Sequence, residues 1–292
     1  MLTLGSLCTG IGGLELGLRL AGYEFTTEFV ADIDPGCSEW LEVNEEAINL
    51  GDFTKLDRLP ETDILVAGFP CQPVSTAGKK RGTDDDRWLW RDIYAHLERA
   101  ERLPVLCLEN VRALLTANGG GAFAEVCHSL ADLGYRFSWG TLRASAVGAP
   151  HRRDRWWGLA YPADTQSAEW AVPKLQRVAA PAGQAAESRE RDRTLADRFG
   201  PYAPAIGRWE RIIGRHAPDP LDDGKINPRF VEFQMGYPEG WVTDTILDRG
   251  AALKALGNAV VPQCAAAAYG QLAQRMTKLG LYESDMAQEG NI

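Results

Sequence analysis

A chain of 292 residues with 45% hydrophobic content suits one large domain, or a core domain with a smaller lobe, and can bury a substantial core. No apolar run approaches the ~18 residues of a membrane-spanning helix, and the start MLTLGSLCTG has no basic region ahead of its apolar residues, so the expected location is cytoplasmic, with no membrane partner. Six cysteines without a C-x-x-C pair and four scattered histidines argue against a zinc site or a disulfide framework, and the net charge of −9 counts at first against a nucleic-acid partner. The first strand candidate is 2–7, followed by a helix over 13–21. Between them, Gly10, Gly12 and Gly13 form a turn that lets a ligand approach the backbone. A second strand over 27–32 ends at Asp32, 20 residues beyond Gly12, where a carboxylate meets ribose hydroxyls in doubly wound folds. A plain tight turn gives the same glycines. The pattern does not by itself separate a nicotinamide dinucleotide from S-adenosylmethionine, although Glu15 stands where the dinucleotide fingerprint wants a third glycine.

A helix over 35–47 follows, then a strand over 63–69 that delivers GFPCQPVSTAG. Cys71 lies just past the C-terminal end of that strand, the edge at which open α/β sheets bind ligands. A free cysteine is more often inert core. Here the basic run after it reads as a mobile lid, and nearby positive charge favours thiolate. Next come a helix over 88–101 and a strand over 105–111 whose LEN tripeptide carries Glu109 to the same edge. A carboxyl beside a thiol suits proton donation paired with nucleophilic attack. A helix over 121–133 and strands over 135–142 and 155–160 complete the alternation, which predicts an α/β, doubly wound, mostly parallel sheet. Arg153 and Arg155 alternate in PHRRDR, so an extended segment puts both on one face, able to hold a phosphate or a base carbonyl.

From about residue 161 the chain turns rich in Ala, Pro and charge without a clear apolar period, and reads as loop or a weakly structured lobe. Within 198–216, Ile206, Trp209, Ile212 and Ile213 recur at helical spacing, with Arg208, Arg211 and Arg215 towards the other side. Residues 253–276 read as a Gly-Asn turn leading into an Ala-rich helix that docks back on the first domain. The charge also proves uneven. Residues 24–63 carry twelve acids against Lys55 and Arg58, a net −10 that leaves +1 for the rest. Basic clusters then stand out at 79–81, at 151–155 and between Arg189 and Arg215, and a local basic face can bind phosphate whatever the total charge.

In order along the chain, TGIGG, Asp32, GDF (51–53), GFPCQP (68–73), ENV (109–111), RRDR (152–155), VEFQMGYPEGW (231–241) and GNAVVP (257–262) together resemble the cytosine-5 DNA methyltransferases, in particular short bacterial and phage-encoded members. The resemblance implies the S-adenosylmethionine-dependent methyltransferase fold with a small target-recognition lobe. Residues 1–162 become the cofactor-binding and catalytic domain, 163–249 the lobe, 250–280 a segment packing back on the catalytic domain, and 281–292 a disordered tail. It implies a cytosine flipped out of double-stranded DNA, attacked by Cys71, with Glu109 at ring nitrogen 3, Arg155 on the base carbonyl and Arg153 in support. The cofactor is S-adenosyl-L-methionine, held by Cys8, Thr9, Gly10, Ile11, Gly12, Gly13, Asp32, Ile33, Asp52, Phe53, Gly68, Pro70, Asn258 and Ala259. Asn258 also braces the joint between lobes. DNA contacts fall to Gln72, Ser75, Lys79, Lys80, Arg81, Arg208, Arg211 and Arg215. Cys8, Ile33 and His151 depart from the family's usual residues. The expected enzyme is monomeric, with a cognate restriction enzyme as a further partner. A tRNA substrate and a non-catalytic DNA-binding homologue are the alternatives, and the CFT tripeptide usual in the tRNA branch is absent from the sequence.

Overall fold

A computed structural model describes residues 1–70, 88–163 and 189–279. The first half alternates β1 (Leu2–Leu7), α1 (Gly13–Leu20), β2 (Phe25–Ala31), α2 (Pro35–Asn44), the short β3 (Ile48–Asn49), β4 (Ile64–Ala67), α3 (Trp90–Glu98), β5 (Val105–Val111), α4 (Gly121–Asp132), β6 (Tyr135–Arg143) and β7 (Asp154–Pro162). These strands form one seven-stranded sheet in the order β3-β2-β1-β4-β5-β7-β6. Strands β1 to β5 pair in parallel, and β7 enters antiparallel between β5 and β6. This is the mostly parallel α/β sheet that the strand–helix alternation implies.

The predicted elements form with shifted ends. Helix α2 starts where Asp34 accepts from the amides of Gly36 and Cys37, with Pro35 in the first turn. It stops at Asn44, short of residue 47, where the Asn44 amide turns back to the Trp40 carbonyl at 2.8 Å and Glu45 goes extended.

Side chains alternate across the sheet. Ile64, Val66, Val105 and Cys107 enter one apolar cluster, and Leu65, Ala67, Leu106 and Leu108 enter the other. Helices α3 and α4 cover the second cluster with Trp90, Ile93, Leu97, Val126 and Leu130. The first is covered by α1 and α2 and by the C-terminal half of the chain. That half contains α5 (Arg189–Phe199), α6 (Ala203–Ile213), a small hairpin of β8 (Leu221–Asp222) and β9 (Lys225–Ile226), α7 (Pro228–Met235), α8 (Arg249–Asn258) and α9 (Pro262–Lys278). Leu195, Ile206, Trp209 and Phe233 join the same cluster as Leu14, Leu18 and Trp40, so the region from 189 to 249 has no core of its own. Helix α9 lies so close on α1 that a Cβ at Gly17 would collide with Ala265.

The helical spacing of Ile206, Trp209, Ile212 and Ile213 is met by α6, which carries all four. The wider stretch 198–216 does not run as a single helix. Gly200 at φ 50° and Pro201, which has no amide hydrogen, interrupt it between α5 and α6, and Gly214 at φ 75° ends α6. The Gly257–Asn258 pair leads into the Ala-rich α9, as the sequence implies, and has a further role. It closes α8, which begins where Asp248 caps the Ala251 amide at 2.7 Å, and α9 starts anew at Pro262. Among the described residues, no helix is long and apolar enough to cross a membrane.

Candidate active site

The C-terminal edge of the sheet gathers the functional residues because parallel strands all deliver their ends to the same side. Leaving β1, Cys8 takes φ 54° and Gly10 and Gly12 take 61° and 70°, so the chain reverses within five residues and α1 starts at Gly13. The Gly10 amide donates to Asp32 Oδ2 at 2.8 Å, and the Asp34 amide to Asp32 Oδ1 at 2.8 Å. Burial pushes the Asp32 carboxyl up, opposed by these two amides. The Thr9 hydroxyl bridges Ser6 Oγ at 2.9 Å and the Ala31 amide at 3.2 Å, which locks the turn onto β1 and β2.

A cavity of about 230 Å³ opens from this turn. Cys8, Thr9, Gly10, Ile11, Gly13, Asp32, Gly68, Pro70, Asn258 and Ala259, all expected at the cofactor, line it. So do Glu109 and Arg155, which puts the acid and the arginine in the same cavity as the ribose-seeking carboxylate. These residues fit S-adenosylmethionine, with the Asp32 carboxylate for the ribose hydroxyls and open backbone at Gly10. Ile33, 73% exposed just after β2, is not among the lining residues. Gly12 instead backs onto the Trp40 ring.

Asp52 and Phe53, also expected at the cofactor, are not among the residues that line this cavity. Asp52 caps its own 3₁₀ turn through the Thr54 amide and hydroxyl at 3.2 and 2.7 Å and pairs with Lys55 at 2.8 Å. Phe53 is buried, and its carbonyl accepts from His96 at 2.9 Å. Another cavity of about 320 Å³, lined by residues 58–62, 96–97 and 99–102, precedes β4 and β5 on the opposite edge. Its ion pairs Arg58–Glu101 and Arg102–Asp63 close upon themselves.

Glu109 is 7% exposed at the end of β5. In register across β7 lie Trp157 opposite Glu109 and Arg155 opposite Val111. The Arg155 Nε stands 3.0 Å from Glu109 Oε1. Burial raises the Glu109 carboxyl above the ordinary range, and Arg155 and Arg153 offset this only in part. The two arginines part company. Arg153 Nη1 donates to the Gly257 carbonyl at 3.0 Å and Nη2 to that of Ala259, so it pins the GNAVVP turn. Burial, then the Arg155 charge, lower its pKa to about 10.

Asn110, which the sequence reading passed over, donates from Nδ2 to the Phe69 carbonyl at 3.2 Å and thereby fixes the end of β4's loop against β5. Its signal was its place in the ENV tripeptide. Asp34, Cys37, Val111, Ala255 and Val260 also line the cavity without having been foreseen. His151 donates from Nε2 to the Gln234 carbonyl at 3.0 Å, which supplies the hydrogen bond left open at that position.

Cys71, Gln72, Ser75, Lys79, Lys80 and Arg81 lie outside the described residues, as do 164–188 and the 281–292 tail. Arg208 and Arg211 are exposed on α6. Arg215 turns inward, contrary to expectation. Its Nη2 donates to the Tyr237 carbonyl at 2.9 Å and lies 3.8 Å from the wholly buried Glu232, with its guanidinium 5.4 Å from the Phe233 ring.

The family described as C-5 cytosine-specific DNA methylase matches residues 2–201. The type II methyltransferase M2.BsuMI of Bacillus subtilis (strain 168) is 31% identical over 290 residues, covering 87% of this chain and 71% of that protein. M.MspI of Moraxella sp is 32% identical over 186 residues, 62% of this chain and 43% of that protein. The alignments thus span most of one relative and less than half of the other. The crystal structure of S. pombe Dnmt2 methyltransferase shares the fold, with a TM-score of 0.63 over 94% of this chain and 99% of that one at 17% identity. With the glycine turn, Asp32, Glu109 and Arg155 around one cavity, these matches settle the family: the chain belongs to the C-5 cytosine-specific DNA methylases, methyltransferases that use S-adenosyl-L-methionine.

Proposed function

We propose that the protein methylates carbon 5 of a cytosine flipped out of a short double-stranded DNA target, through a covalent bond to Cys71. The observation that carries this reading is the Glu109–Arg155 pair, held at the edge of the Asp32 cavity directly beside Gly68–Pro70, the residues that lead into Cys71. Thiols elsewhere do not compete. Cys8, Cys37, Cys107, Cys127 and Cys264 are all pushed up by burial, away from thiolate.

In this mechanism the Cys71 thiolate adds to ring carbon 6. Glu109, whose carboxyl burial pushes towards the neutral form, donates to ring nitrogen 3 and takes up the charge that the attack creates. Arg155 holds the base carbonyl while its Nε orients Glu109. Bound S-adenosyl-L-methionine supplies an electrophilic methyl group for carbon 5. The carbon-5 proton then passes to solvent water, ring nitrogen 3 returns its proton to Glu109, and the ring is restored as the thiolate leaves. Asp32 receives the ribose hydroxyls, and Arg153 acts one step away by fixing Asn258 and Ala259 at the cavity wall.

Residues 163–249 are assigned to target recognition, with Arg208 and Arg211 on the exposed side of α6 as DNA contacts. With so few exposed basic side chains on that helix, the motif is about two to five base pairs, since each good base contact discriminates by roughly 1–3 kcal/mol. The protein acts as a cytoplasmic monomer. Its similarity to type II methyltransferases supports a restriction enzyme of the same specificity as its counterpart. The test is transfer of labelled methyl groups to duplex DNA and to tRNA by purified protein, followed by base-resolution mapping. Labelling of tRNA alone overturns the DNA assignment.

A further inference from the structure

Glu232 is fully buried in α7 and does not itself line the cavity. Its carboxylate is the hub of the next turn. Oε1 accepts from the Gly240 amide at 2.9 Å, and Oε2 from the amides of Val242 at 2.8 Å and Thr243 at 3.1 Å. A carboxylate satisfied by three amides fixes a six-residue turn that has no regular secondary structure to hold it. At the centre of that turn, Trp241 donates from Nε1 to the Ile11 carbonyl at 2.9 Å, and the Trp241 carbonyl accepts from Trp40 Nε1. The rings of Trp40 and Trp241 lie 5.3 Å apart, and Tyr237 stacks on Trp241 at 6.1 Å. A Cβ at Gly13 would collide with the Tyr237 hydroxyl. Ile11 itself lines the cavity and lies between two left-handed glycines, Gly10 and Gly12, so holding its carbonyl steadies the turn whose Gly10 amide donates to Asp32.

We propose that Glu232 and Trp241 are positioning residues for S-adenosyl-L-methionine: Glu232 fixes the 238–243 turn, and Trp241 clamps the glycine turn from behind through the Ile11 carbonyl. The inference rests on the cofactor reading of the cavity. It goes beyond that reading by linking α7, in the half assigned to DNA recognition, to cofactor affinity.

Without the clamp the glycine turn samples other peptide orientations, and the cofactor must select the competent one. The experiment compares Trp241→Phe, which keeps the ring and removes only the donor, with Trp209→Phe. Trp209, wholly buried where Trp241 is half-buried, donates from Nε1 to the Phe233 carbonyl at 2.8 Å, away from the cavity. S-adenosyl-L-methionine binding is measured by calorimetry, with thermal unfolding and the KM–kcat split on duplex DNA alongside. Trp241→Phe should weaken cofactor binding about five- to tenfold, the scale of one hydrogen bond. It should raise KM for the cofactor by the same factor and leave kcat at saturation within about twofold. Trp209→Phe should lower the unfolding temperature by a similar amount and leave cofactor affinity unchanged. Glu232→Gln puts an NH₂ group against backbone donors and should give the same affinity loss with a lower unfolding temperature. Unchanged affinity in Trp241→Phe, or equal losses in both tryptophan variants, overturns the clamp. Wild-type protein that binds no S-adenosyl-L-methionine would instead overturn the cofactor reading itself.

Discussion

Arg155 Nε and Glu109 Oε1 lie 3.0 Å apart across two antiparallel strands, at the mouth of the cavity that holds Asp32. Burial favours the neutral acid while the guanidinium favours the anion, which under the proposed mechanism sets the Glu109 proton for transfer to the base. Glu109→Gln keeps a donor and the shape but loses the ionisable proton. The single-turnover rate should fall by roughly 10²–10⁴-fold, with cofactor affinity unchanged. Where Glu109 is the acid, wild-type activity falls as pH rises through its elevated pKa. That limb should vanish from the residual activity of the variant, as a pH–rate series would record.

Cys71→Ser should abolish methyl transfer while leaving S-adenosyl-L-methionine binding intact, because an alcohol supplies almost no nucleophilic anion near neutral pH. Duplex DNA with 5-fluorocytosine at the target should trap the wild type covalently, since fluorine cannot leave as a proton does. Denaturing gels and mass spectrometry read the adduct, and turnover by the serine variant would end the nucleophile assignment.

Arg153→Ala and Arg155→Ala should fail differently. Arg153 holds two carbonyls of the 257–259 turn, so its loss should weaken cofactor binding and lower the unfolding temperature. Arg155 touches Glu109, and its loss should cut the rate with little change in cofactor affinity. Calorimetry and single-turnover kinetics on both variants separate the two roles.

Glu15 makes a prediction about pH and stability. It is 4% exposed, and burial raises its carboxyl to about 7, with the Ser6 hydroxyl offsetting this only in part. The unfolded chain ionises this group from about 4.5, the folded protein only from about 7, so the folded state binds the extra proton in between. Stability is therefore lost as pH rises from 4.5 to 7, by about 3 kcal/mol at roughly 1.4 kcal/mol per pH unit. Glu15→Gln should raise the unfolding temperature at pH 8, leave it nearly unchanged at pH 4.5, and flatten the slope between. Denaturant titrations across that range provide the measurement.

The three arginines expected on the α6 side of the DNA divide by burial. Arg208→Ala and Arg211→Ala should alter DNA affinity, the salt slope by about one unit if the side chain meets a phosphate, or the methylated motif if it reads a base. Arg215→Ala should instead cost roughly 1–3 kcal/mol of stability, because it leaves the buried Glu232 carboxylate without its cation. Binding across a salt series and methylome sequencing distinguish these outcomes.

The sequence by itself determined the sheet, the strand ends that carry Glu109 and Asp32, and the family, because these rest on local periodicity and on short motifs with fixed spacing. GxGG after a strand and ENV at a strand end carry their meaning within a few residues. Only the tertiary structure decided where long side chains point. Arg153 and Arg155 look equivalent in RRDR, yet one braces a turn 104 residues away and the other meets Glu109. Arg215 sits on the same predicted face as Arg208 and Arg211. The Gly214 turn after α6 carries it away from that face and towards Glu232. Asp52 answers to its own turn rather than to the cavity. Strand and helix periods are set by neighbours in sequence. Burial and partner choice for a flexible charged side chain are set by elements that meet only on folding, and no local pattern encodes them.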